Sequence, residues 1–430
     1  MEVTISNEKD LLLEISNYIR VNRDRTATYK ITLGENGKKY RFKYNFSFPL
    51  SQEAANALES FKIEGKLKKY EFDFHRCIFE EDVQINSHDK KLSFYDNCIF
   101  EKGTILNGYK GVLTFSKCKF KGEFNAENAI LSGKVKFWES EFESQANFRN
   151  TTFNELVDFW RATFHKPTIF YKTDFLNTVV FSAATFKENV LFTYTRNEKL
   201  MLLRGTKAEK GFDFSLAIMP GKLGLFEFNL EDYKDVKYFT DEDEYEKAVS
   251  ELAIIPIKNK RETFRILKDI LESQKNLSES LKYKAIEKEI YRNELKTFKN
   301  NSSLNWWGKL KNWSNNRFER FNLWLNKWSN DHGNSYGRAF FFIIIVGWIF
   351  FYCSLLLTDR FYFVGFCRIS EWDFSKGFKL YMEYLNPIHK FDYIEEPTKS
   401  SAWFYLFDFL GKTFVGYGIY QFIQAFRKYK

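Results

Sequence analysis

Asp408 and Lys412 stand four residues apart inside a C-terminal segment, Ala402 to Phe426, that is otherwise almost wholly uncharged. In a helix that spacing puts a carboxylate and an ammonium on one face, where they can pair. Ionisable groups inside an apolar span are costly, and they point to a pore lining or another polar pathway. The competing readings are a structural intrahelical pair, two charges that snorkel to water, or a segment that is no span at all. Beside them, Thr413-Phe-Val415-Gly416-Tyr417-Gly418 contains the letters of a potassium selectivity filter. A filter loop needs an inner helix after it, yet only twelve residues follow Gly418. Gly411, Gly416 and Gly418 therefore read as places of close helix packing.

No catalytic constellation accompanies this pair. The five histidines (75, 88, 165, 332 and 389) are scattered, and no phosphate loop, dinucleotide fingerprint or nucleophile elbow occurs. His75 and His165 flank phenylalanines and are expected to face solvent. Cys77, Cys98 and Cys118 each precede a phenylalanine by two, with no CxxC spacing and no histidine cluster. They read as small buried hydrophobes in a reduced, cytosolic setting, not as a zinc site or a redox pair. No enzyme activity, metal or cofactor is expected.

The element that dominates the chain is a phenylalanine ladder. Phe137, Phe142, Phe148, Phe153, Phe159, Phe164, Phe170, Phe175, Phe181, Phe186 and Phe192 follow one another at alternating steps of 5 and 6. No single helix or strand has that period, whereas coils stacked upon one another do. Two residues before alternate ladder positions stand Ser140, Thr151, Ala162, Thr173 and Ala184; before the others stand Ala146, Val157, Thr168, Val179 and Val190. Residues two apart in an extended segment share a face, so each short side sends one smaller and one aromatic residue inward. A closed coil of four sides explains both rows. The phase extends back through Phe115, Cys118 and Phe120 and through Phe74, Cys77 and Phe79, and residues 72–228 make about seven coils of roughly 20 to 22 residues.

These Phe-x-x-small-x-Phe units, such as Phe159-Trp-Arg-Ala162-Thr-Phe164, resemble the pentapeptide-repeat family. The resemblance covers about a third of the chain. It implies a right-handed quadrilateral β-helix in which the ladder is structural core, with the extra residue at every second corner as this chain's departure. Some members of the family resemble DNA in shape and charge, a role that requires a strongly acidic cylinder. Residues 71–200 carry 18 acids and 17 bases, so DNA mimicry is not expected. The net charge of +9 comes instead from residues 1–70 and from the stretch leading into the C-terminal apolar region. A membrane surface suits it better than a nucleic acid.

The remaining sequence divides around the solenoid. Residues 1–70 read as a mixed α/β cap, with a helix over Glu8–Ile19 behind Asn7 and a hairpin of Thr28–Leu33 and Tyr40–Phe48 joined by Gly34-Glu-Asn-Gly37. The β-helix takes 71–230. A helical connector follows at 231–303, with apolar stripes through Phe264, Leu267, Ile270 and Leu271 and through Leu281, Ala285, Ile286 and Ile290. It reads either as a solvated helical hairpin or as an oligomerisation element. Residues 304–337 form a tryptophan-rich helix in which Trp306, Trp307, Trp313, Trp324 and Trp328 alternate with Lys and Arg, the composition of a segment lying among lipid headgroups. Single-stranded nucleic acid is the rival counterpart, and the apolar segments that follow favour membrane.

Residues 338–430 hold two candidate spans, 339–357 and 402–426. The first has 19 residues without a charge, enough to cross about 30 Å of hydrocarbon. Six Lys/Arg precede it from 309 to 338 and three follow the second, so both termini are expected in the cytoplasm. Ser329-Asn330-Asp-His-Gly333, Tyr384-Leu-Asn-Pro387-Ile-His389 and Gly418-Ile-Tyr420-Gln421, running into Ala425-Phe-Arg427-Lys428, resemble a bacterial group in which pentapeptide repeats precede two membrane helices. That resemblance implies an inner-membrane protein and an oligomeric, channel-like effector in phage defence. A cytosolic sensor solenoid would gate a cyclic homo-oligomer. Expected partners are membrane lipid, further copies of the chain, and a regulatory protein or nucleotide signal. The rival reading is a membrane-tethered scaffold that presents the solenoid surface without transport.

Overall fold

The computed structural model describes residues 2–21, 29–34, 37–50, 69–230, 236–237, 239, 241–297, 306–358, 374–391 and 402–427. The chain forms two compact units, 1–266 and 267–430.

The first unit is a β-solenoid of about seven turns. Its short strands stack in parallel into four sheets of ten, nine, eight and five strands, each strand pairing with its counterpart one coil earlier and later. The register is the ladder itself: Phe120 pairs with Phe142, Phe142 with Phe164 and Phe164 with Phe186. The aromatic rings follow the backbone, since Phe115, Phe137, Phe159 and Phe181 stack at centroid distances of 5.0 to 5.2 Å and lie within 6° of parallel. Edge-to-face contacts cross the core, as between Phe148 and Phe159 at 5.6 Å. Polar members of the small row are satisfied within the stack: the hydroxyls of Thr151, Thr173 and Thr195 donate to the carbonyls of Ala126, Phe148 and Phe170 at 2.6 to 2.8 Å.

The alternation of 5 and 6 has a backbone cause. In each five-residue step the second residue after the phenylalanine is left-handed: Glu139, Asn150, Arg161, Lys172 and Ala183 all have φ between 51° and 56°. The following amide donates to the phenylalanine carbonyl, as from Ala162 to Phe159 at 3.0 Å, which closes a tight turn of type II character. The six-residue steps, such as Phe142 to Phe148, contain no residue at positive φ. There the extra residue turns the corner.

The N-terminal region differs from the expected hairpin. Helix α1 (Glu8–Val21) is capped by Asn7, whose side chain accepts from the Asp10 amide at 3.0 Å, and it buries Leu11, Leu12 and Ile15. The strands Lys30–Leu33 and Lys39–Phe42, however, do not pair with each other. They pair in parallel with Glu71–His75 and with Ile78–Phe79, and Phe46–Phe48 pairs with Val83–Ile85. These strands are an opening coil. Gly34, at φ +88°, forms one of its corners, and a Cβ there would lie 1.8 Å from the His75 carbonyl oxygen of the coil above. That close stacking, not a hairpin turn, is what the glycine serves. The intervening Glu35 and Asn36 lie outside the described residues.

The far end of the solenoid is closed by α2 (Glu242–Ser250) and the first half of α3 (Ile257–Ser273). Asp213, fully buried in a late coil, accepts from Asn259 at 2.8 Å, Thr193 at 2.9 Å and the Ser215 amide at 2.8 Å. Burial pushes its carboxyl upward while these donors pull it down. Thr263 accepts from the Phe214 amide at 2.8 Å, so this stretch of the expected connector is packed onto the coil it follows. The arrangement covers strand edges that would otherwise invite association.

In the second unit, α4 (Leu277–Thr297) follows α3 through a turn at Lys275 and Asn276, where Asn276 caps α4 by accepting from Glu279 at 3.3 Å. Then come α5 (Trp306–Asn330), α6 (Tyr336–Leu356), α7 (Phe374–Tyr384) and α8 (Ala402–Phe426). Among the described residues only α6 is long and apolar enough to cross a membrane, with a hydropathy of 2.5. Asp408, Lys412 and the interspersed polar residues keep α8 below that level. Most of the expected loop between the two segments, 359–373 and 392–401, lies outside the described residues.

Candidate functional site: a closed charge cluster in the helical unit

Gly411 and Gly418 let α8 approach α6 closely. A Cβ on Gly418 would come within 2.7 Å of Ile343, and one on Gly411 within 1.7 Å of the Tyr384 hydroxyl and 2.9 Å of Phe350. Gly416 faces only Pro387, at 4.0 Å. The whole Thr413–Gly418 run is helical, so its carbonyls serve the α8 backbone and do not form an extended filter. Tyr384, at the end of α7, thus reaches α8 through the gap that Gly411 leaves.

Directly beyond lies the cluster. Asp408 has no solvent exposure, and it meets Lys412 at 2.9 Å, one turn along α8. It also meets His389, whose side chain is 1% exposed, at 3.0 Å through Nε2. The other ring nitrogen, Nδ1, faces the Asn386 carbonyl at 2.7 Å. Both imidazole nitrogens therefore face oxygen atoms. The Lys412 ammonium lies 3.6 Å from the centroid of Phe391, so its second face is occupied by an aromatic ring. One carboxylate, one imidazole, one ammonium and one ring close upon one another within a single chain. The arrangement ties the segment after α7 to α8, but it places no nucleophile beside a base. Among the described residues no group of three or more His, Cys, Asp or Glu could hold a metal.

Sequence reading found Asp408 and Lys412 but missed His389 as their partner. The signal was present in Tyr384-Leu-Asn-Pro387-Ile-His389, of which Tyr384 and His389 both reach α8. The other two motifs also meet: Asn330, buried at the end of α5, donates to the Gln421 side chain and to its carbonyl, the latter at 3.2 Å, while its own oxygen accepts from Gly333 at 2.9 Å. Of the five tryptophans expected at a membrane interface, Trp324 and Trp328 stack at 5.8 Å on the exposed side of α5. Trp306, Trp307 and Trp313 belong to α5, but their side chains lie outside the described residues. All eleven ladder phenylalanines are buried in the solenoid.

His332, in the turn between α5 and α6, is a second buried imidazole, with no hydrogen-bond partner for Nδ1 among the described residues. Burial pushes it down to about 4; Asp331 and Glu289 oppose that shift, and Lys327 and Lys288 add to it. Above pH 6.5 the ring is neutral folded or unfolded. As pH falls below 6.5 the unfolded chain takes up the proton first, so stability drains away until the folded ring itself titrates near 4. We expect the helical unit to lose up to about 3 kcal/mol between pH 6.5 and 4. Thermal unfolding of the wild type and His332→Asn across that range checks this, since the variant should show a flatter profile.

Comparison with known proteins bears on the first unit. A family described as Pentapeptide repeats, in 9 copies, matches residues 126–174, within the most regular part of the ladder. No curated protein and no solved structure matches the chain. The solenoid is thus a pentapeptide-repeat scaffold.

Proposed function

We propose that the chain is a membrane-anchored scaffold: the helical unit sits in the inner membrane of a bacterium, and the pentapeptide-repeat solenoid presents its surface to cytosolic partners. One observation carries the reading. Helix α6 has no charged side chain after Arg338, yet only 39% of its most apolar stretch is buried, and Phe340, Phe341, Ile345, Trp348 and Ile349 all face outward. Trp403, Leu406, Phe409 and Ile423 of α8 are exposed as well. In water such apolar area costs roughly 25 cal/mol per Å²; in hydrocarbon it costs nothing. Full-length protein should partition with membranes, and truncation after Asn300 should release it. Recovery of the full chain in the soluble fraction without detergent overturns the anchor.

The second reading is the oligomeric, ion-conducting effector gated by the solenoid, with a role in phage defence and a nucleotide or regulatory protein as its stimulus. Asp408 and Lys412 within a membrane hairpin favour it. Against it, both charges are turned inward and satisfied by His389 and Phe391 of the same chain, so a neighbouring subunit would not meet them. Two helices per chain also cannot enclose a pore without a cyclic assembly. Conductance by the purified protein in lipid bilayers would promote this reading over the scaffold.

A further inference from the structure

Beside the stacked tryptophans, α4, α5 and α6 border two adjoining cavities of about 840 and 540 Å³, and Arg292 and Trp324 line both. Arg317 and Arg320 lie on the larger, Lys327 and Arg338 on the smaller. The carboxylates nearby do not match this charge. Glu289 serves both Arg292, at 2.6 Å, and Lys327, at 3.0 Å, while Asp331 serves Arg338 at 3.4 Å and Glu319 accepts from Tyr291 at 2.8 Å. Among the described residues, the three cations of the smaller cavity, Arg292, Lys327 and Arg338, thus share two carboxylates. The buried Nε–H of Arg292, in the shared wall, has no acceptor among the described residues.

The groove also has a direction. On α6, Arg338, Phe341, Phe342 and Ile345 line the smaller cavity at helical spacing. They run from a cation at the head of the apolar helix to an exposed aliphatic side chain about 10 Å deeper. The indole of Trp328 meets Phe342 edge-on at 5.0 Å, between Arg338 and Ile345 along α6, and Trp324 stacks on Trp328. A positive rim, an aromatic belt and an apolar track in that order match a phosphate, a glycerol backbone and an acyl chain.

We propose that this groove binds one anionic glycerophospholipid, with its phosphate against Arg292, Lys327 and Arg338 and its acyl chains along Phe341 and Ile345. This rests on the membrane anchor. The surplus of cations selects a net negative headgroup over a zwitterionic one, since each basic residue near an anionic lipid surface adds severalfold to affinity.

The test is a native mass spectrometry titration of the full chain, purified in detergent, with phosphatidylglycerol and with phosphatidylcholine. Phosphatidylglycerol should bind about tenfold more tightly. Lys327→Gln with Arg338→Gln should bring it to the phosphatidylcholine level, and Arg338→Lys should retain the preference. Because Lys327→Gln releases Glu289 and could unfold the chain, Arg338→Gln alone serves as the second variant, with about a fivefold loss expected. Equal binding of the two lipids, or a preference untouched by Arg338→Gln, overturns the site. Loss of the anchor reads out separately, as full-length chain found soluble without detergent.

Discussion

Replacing Phe159 by alanine should destabilise the solenoid by about 3 to 5 kcal/mol, seen as a lowered thermal midpoint of the first unit. Phe159 has no solvent exposure, and its ring is sandwiched between Phe137 and Phe181, each at 5.0 Å. It also meets Phe148 and Phe170 edge-on, at 5.6 and 5.8 Å. Removing it empties one layer of a stack whose neighbours are fixed by backbone pairing above and below, so the cavity cannot collapse. An exposed position on the same coil, such as Trp160→Ala, should cost far less. A Phe159→Ala chain with wild-type thermal stability would mean that the inward register is wrong.

The second large effect is expected at Asp408. Asp408→Ala leaves the Lys412 ammonium without its carboxylate and His389 without its acceptor, in a site with almost no access to water. Breaking a buried pair by removing one partner costs about 3 to 5 kcal/mol. The double substitution Asp408→Asn with Lys412→Met removes both charges, leaves an amide for His389, and should lie near the wild type. Thermal unfolding of the detergent-solubilised chain separates these outcomes. If the double variant is as unstable as Asp408→Ala, the cluster matters for more than charge pairing; if Asp408→Ala is as stable as wild type, the closed cluster does not exist.

The ladder was legible because its period lies along the chain: phenylalanines 5 and 6 apart report a coil before any contact is known. The corners were not. Glu139, Asn150, Arg161, Lys172 and Ala183 share a left-handed backbone but no chemistry, so only the spacing around them betrays the turn. The N-terminal strands were misread for a related reason. Gly34 and Gly37 between alternating segments satisfy the local rule for a hairpin, and the long stretch from Leu50 to Lys69 breaks the period that would have assigned Phe42 and Phe46 to an opening coil. In the helical unit, the Asp408–Lys412 pair followed from a helical step of four. His389 lies 19 residues from Asp408 with no periodic relation to it, and only the folding back of the segment after α7 brings it there. Gly411 was recognised as a packing residue, but its occupant, Tyr384, was not.

The left-handed corners have one further consequence. Each regular coil returns to the same inward residues after 22 positions, with neighbours about 4.8 Å apart. Adding or removing whole coils would change neither the core nor the two ends, the opening coil at one and the Asp213 cluster at the other. The distance between those ends is therefore quantised, in steps of one strand spacing. A protein built this way is a ruler, and its length can change by duplication of one coil without any new packing problem to solve.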